Sequence, residues 1–73
     1  MIVYDPLWET MKRKGISQYN LIHDFGVNES QLDRLRKNSV IKTTTIERFC
    51  DILDCEVEDI LKRVKKEPEN QQG

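Results

Sequence analysis

Apolar residues recur along the chain at helical spacing, in short runs separated by turn signals. Tyr4, Leu7, Trp8 and Met11 form a first stripe, with Asp5 placed to cap and Pro6 suited to the first helical position; the helix predicted over 5–14 ends at Gly15, with Lys12, Arg13 and Lys14 in its last turn. Ser17 opens a second helix, Ile16 before it can pack on Leu21, and Leu21, Ile22 and Phe25 are the expected buried positions. Gly26 stops this helix, because the residue just past a helix often adopts a left-handed conformation that glycine takes without steric cost. A third helix starts at once: Asn28 caps it, Gln31 sits at the capping-box position, Val27 can pack on Leu32, and Leu35 continues the stripe. A fourth is expected from Thr44, with Glu47 in the box position and Ile46, Phe49, Cys50 and Leu53 buried. Val57, Ile60, Leu61 and Val64 then predict a fifth over about 56–65. No strand is predicted.

The pattern sets one domain over 1–66 followed by a polar tail over 67–73, expected to be flexible because it carries no apolar residue. With 73 residues, 37% hydrophobic and 34% charged, the chain is a small globular domain. No apolar run approaches the roughly 20 residues of a spanning helix, and no basic-then-apolar leader opens the chain, so a cytoplasmic protein with no membrane partner is expected.

The net charge of −1 conceals an uneven distribution. Residues 10–46 hold seven bases and three acids, whereas residues 47–61 hold one base, Arg48, and six acids. Only the local field matters to a bound polyanion, so the first half remains compatible with nucleic acid. Cys50 and Cys55, treated as two positions on a helical pattern, point in different directions and read as buried thiols; with His23 they lack the spacing and number of a zinc site. His23 reads as a surface residue and Trp8 as core. One histidine, no glycine-rich phosphate loop and a domain too small to enclose a substrate argue against an enzyme, and neither a metal nor a small-molecule cofactor is expected.

Two short helices joined by a tight glycine turn make a helix-turn-helix. The stretch "SQYNLIHDFGVNESQLDRLRK" followed by "TTTIERFCDILDCEVEDIL" resembles the Cro and phage-repressor-like (XRE) helix-turn-helix family of transcriptional regulators. The resemblance covers residues 5–64 and rests on Gln18, Leu21, Gly26 and Val27 at the turn, Leu32, Leu35 and the "LDCEVEDIL" hinge. It implies an all-α, five-helix, lambda-repressor-like domain that binds double-stranded DNA through its third helix, usually as a homodimer. Carried onto this chain, Gln18 contacts a phosphate, Glu29, Ser30, Asp33 and Arg34 face base edges, and Lys37, Asn38, Lys42 and Thr43 lie along the backbone; Asn28 completes the DNA-binding set.

Helical spacing gives a consistent picture, because with Leu32 and Leu35 held inward Ser30, Asp33, Arg34 and Lys37 turn outward. Arg34 is the candidate for direct readout, since its fork can bond O6 and N7 of a guanine. Two departures from the family pattern stand out: Ile22 where a small residue is usual, and the carboxylates Glu29 and Asp33 on the reading face. Glu29 favours the helix N-terminus; Asp33 either accepts from cytosine N4 or pairs with Lys37. The function implied is a sequence-specific regulator, a repressor acting by occlusion. The alternative is the same fold used as a protein-interaction module, an antitoxin or adaptor, through its acidic segment.

Overall fold

The computed structural model describes residues 1–65, so the tail expected over 67–73 lies outside the described residues. The described residues begin with strand β1 (Ile2–Val3), continue through helices α1 (Asp5–Lys14), α2 (Gln18–His23), α3 (Glu29–Arg36) and α4 (Thr43–Leu53), make a 3-10 turn over Val57–Asp59, and reach strand β2 (Lys62–Arg63). Helices surround a core of Tyr4, Leu7, Met11, Leu21, Val27, Leu32, Leu35, Ile46, Phe49, Leu53 and Ile60.

Three helices end in the same way. A left-handed residue follows α1 (Gly15), α3 (Asn38) and α4 (Asp54), and the next amide turns back to the helix: Ile16 N–H to Met11 O at 2.9 Å, Ser39 N–H to Arg34 O at 2.8 Å, Cys55 N–H to Cys50 O at 3.0 Å. These bonds satisfy carbonyls that have no partner within the helix and reverse the chain sharply.

The expected fifth helix is not found among the described residues, which hold four α-helices. Of its four apolar positions Ile60 alone is fully buried, while Val57 is 51% and Val64 38% exposed. The side chain of Asp59 accepts from Glu56 N–H at 3.1 Å and closes a single turn. Beyond it the chain extends, and β2 pairs antiparallel with β1 in the register Ile2 to Arg63 and Val3 to Lys62. Val64 N–H donates to Met1 O at 2.7 Å, and the terminal ammonium donates to Val64 O at 2.8 Å. A lone helix this short is marginal, whereas pairing gives the segments 2–3 and 62–63 backbone partners.

Smaller differences have local causes. The cap of α1 is Tyr4 rather than Asp5, and that of α4 is Lys42 rather than Thr44, without a side-chain bond in either. Ile22 and Phe25, expected inside, are 38% and 40% exposed: α2 ends at His23, so Phe25 lies in the turn. Thr10, unremarkable by pattern, is buried and donates its hydroxyl to Asp59 O at 2.7 Å, tying α1 to the 3-10 turn.

Candidate nucleic-acid interface

The site begins with the corner between α2 and α3. Ser17 caps α2 with its side chain, accepting from Asn20 N–H at 3.1 Å while Asn20 Oδ1 accepts from Ser17 N–H at 2.9 Å. Gly26 has φ +70°, and Val27 N–H reaches Leu21 O at 2.9 Å across the turn. Val27, Leu21, Leu32 and Leu35 are all buried, so both helices are anchored in one core. Arg48 on α4 adds a brace that pattern reading missed: its Nη2 donates to Phe25 O at 2.6 Å, holding the turn from behind.

With Leu32 and Leu35 inward, α3 exposes Glu29, Ser30, Arg34 and Lys37, and leaves Asp33 half-buried. The Arg34 side chain forms no hydrogen bond or ion pair among the described residues. Asn28 occupies the cap position of α3 with no side-chain cap bond; its carbonyl accepts from Gln31 N–H at 3.0 Å.

One flank of this row is an ionic cluster centred on Arg36, which sequence reasoning left out of the site. Arg36 donates to Gln18 Oε1 through both Nη2 and Nε, the latter at 3.2 Å. It also lies 3.3 Å from Glu29 Oε2 and 3.7 Å from Asp33 Oδ1. Lys37 Nζ lies 2.9 Å from Asp33 Oδ2, the i,i+4 pairing that was one of the two readings of Asp33. The two carboxylates on the reading face are thus offset by neighbouring cations, and Gln18 keeps its amide NH2 as a donor. Such exposed pairs add little stability; their effect is on the local field and on where Arg36 and Gln18 sit.

The other flank is a cavity of about 710 Å³ between α3 and the start of α4, lined by Gln31, Arg34, Ser39, Lys42, Thr44 and Thr45 among others. The amides of Thr43 and Thr44, in the first turn of α4, have no backbone acceptor, as expected at an uncapped helix start, and Lys42 is exposed beside them. Gln31, expected to complete a capping box, does not: its Oε1 is buried without a hydrogen-bond partner beside this cavity. Asn38 differs most from its expected role. It holds the left-handed end of α3, and its Oδ1 accepts from Tyr4 N–H at 3.0 Å, while Tyr4 Oη donates to Ser39 O at 2.9 Å. Asn38 and Tyr4 therefore fix the end of α3 against α1.

Among the described residues no group of three or more His, Cys, Asp and Glu side chains converges on a point, and no helix is long and apolar enough to cross a membrane. His23 stacks on Tyr19 with centroids 5.1 Å apart and lies 3.1 Å from Asp24, whose carboxyl is held below its usual range by that contact and by Asn20.

Two helices set at a glycine-turned corner with buried aliphatic flanks, the second showing a row of polar side chains to solvent, define a helix-turn-helix domain. Comparison with known proteins agrees: the Cro/C1-type HTH DNA-binding domain matches residues 6–66, and the chain belongs to that family. The crystal structure of the transcriptional regulator VanUg (form II) is similar, with a TM-score of 0.79 and 25% identity over 89% of this chain and 87% of that one. No curated protein sequence matches the chain.

Proposed function

We propose that the protein is a sequence-specific regulator of transcription that inserts α3 into the major groove and represses by occlusion. The observation that carries this reading is the exposed Arg34 at the centre of the outward row of α3, unpaired among the described residues. In the groove, Arg34 reads a guanine through O6 and N7, with Ser30, Glu29 and Asp33 beside it. Gln18, Asn28, Lys37, Lys42 and Thr43 contact phosphates, the last two with the free amides at the start of α4. Asn38 acts by holding the end of α3, with its NH2 group left for a phosphate.

Two copies reading half-sites one helical turn apart raise affinity and specificity. The exposed Met1 and Ile2, across a shallow groove from Val40 and Ile41, supply a surface for that pairing. Selection of bound oligonucleotides from a random pool tests the proposal. It predicts an enriched two-fold symmetric site and binding that weakens steeply with salt, log K falling by about 0.9 per phosphate contact for each decade. Recovery of no enriched sequence contradicts it.

A second reading, a protein-interaction module of the antitoxin or adaptor kind, draws on the acidic segment 47–61 and on the carboxylates Glu29 and Asp33 of α3. Tight, sequence-selective DNA binding by the purified chain alone removes its basis.

A further inference from the structure

The two cysteines meet because of the way α4 ends. Asp54 adopts φ 52° and ψ 60°, the chain reverses, and Cys55 N–H bonds back to Cys50 O at 3.0 Å. At such a helix end the residue two past the last turn comes to lie against a residue inside that turn, a contact usually made by an apolar pair. Here free cysteines occupy both positions. Both are free and half-buried. Both open into one groove of about 550 Å³ whose walls include Ile46, Val57, Leu61 and the carboxylate-bearing Glu47 and Glu56.

The surroundings select the chemistry of this pair. Burial pushes the Cys55 thiol up to about 11 and the Cys50 thiol in the same direction, with nearby acidic groups adding to the effect on both. A cation entering that groove meets both cysteines together with the carboxylates of Glu47 and Glu56. We propose that Cys50 and Cys55 form a binding site for one soft monovalent metal ion of the Cu(I) type, held by the two sulfurs alone. Among the described residues no third ligand group joins them, which suits a two-coordinate thiophilic ion and disfavours zinc, whose structural sites want four donors. Binding exchanges two S–H bonds for two S–metal bonds and releases both protons to solvent; no electron is transferred. Ile46, Val57 and Leu61 shield the site, and Glu47 and Glu56 draw the cation towards it.

The test is anaerobic titration of the whole chain with Cu(I) against bicinchoninate, with X-ray absorption on the product. The expected result is one ion per chain with two sulfur donors. Cys50→Ser and Cys55→Ser should each weaken uptake by on the order of 100-fold or more, above the usual loss from removing an outer-shell group, with circular dichroism unchanged. Should either serine variant fail to fold, the alanine variant at that position takes its place. Wild-type uptake by a single-cysteine variant, one ion shared between two chains, or conversion to an intrachain disulfide in place of uptake would overturn the proposal.

Discussion

Residues 17–37 and residues 56–64 both carry apolar positions at helical spacing, yet the first form two helices around a corner and the second a 3-10 turn running into a strand. The corner is specified locally. Ser17 caps, Gly26 turns, and Val27 with Leu32 holds the entry to α3, all inside the segment 17–32. The C-terminal segment has the spacing without a matching stop or a strong cap, and its backbone finds partners about sixty residues away at the N-terminus. Spacing alone therefore does not settle an element; it does so where the punctuation at both ends agrees with it.

The contrast can be broken most forcefully by truncation in the two regions. Leu32→Ala removes a fully buried side chain shared by both helices of the corner and should cost about 2–5 kcal/mol in denaturant unfolding. Val57→Ala, at a position 51% exposed, should stay within about 0.5 kcal/mol. Equal losses would mean that the C-terminal segment packs as a helix after all. Gly26→Ala sharpens the local half of the comparison. A methyl there would meet nothing nearer than Arg48 Nη2 at 3.8 Å, so its cost is conformational, set by φ +70°. Thermal unfolding should register about 1–2 kcal/mol; no change would show that the turn does not depend on glycine. Val64→Pro addresses the long-range half. It deletes the amide that donates to Met1 O, and a loss of about 1 kcal/mol is expected, accompanied by faster hydrogen exchange at β1. Unaltered exchange at Ile2 and Val3 would argue against the ribbon.

Much of the fold was legible for the same reason the corner was. Helices α1 to α4, the glycines at 15 and 26, and the core positions Leu7, Met11, Leu21, Leu32, Leu35, Phe49 and Leu53 follow from caps and periodicity. What could not be read depends on partners distant in sequence. The ribbon needs segments 2–3 and 62–63, Thr10 needs the carbonyl of Asp59, and Arg48 needs the carbonyl of Phe25. Continuous helical spacing would set the two cysteines apart, whereas Asp54 ends the helix between them.

The candidate site divides along the same line. The outward row of α3 followed from the inward leucines, so Ser30, Arg34 and Lys37 are exposed where expected. The Arg36 cluster and the use of Asn38 Oδ1 by Tyr4 did not follow, because each joins side chains from different elements. Those contacts matter to the proposed function, since Arg36 fixes Gln18 and offsets Glu29 and Asp33 beneath an approaching phosphate backbone.

The central claim is that the corner offers Arg34 to a base edge, and the most direct measurement is a comparison of wild type and Arg34→Ala on a selected operator and its single-base variants at one salt concentration. The wild type should discriminate by about 1–3 kcal/mol at one guanine in each half-site, and the variant should lose this preference while its preferences elsewhere persist. Equal weakening on every sequence, or an unchanged preference profile, would contradict it.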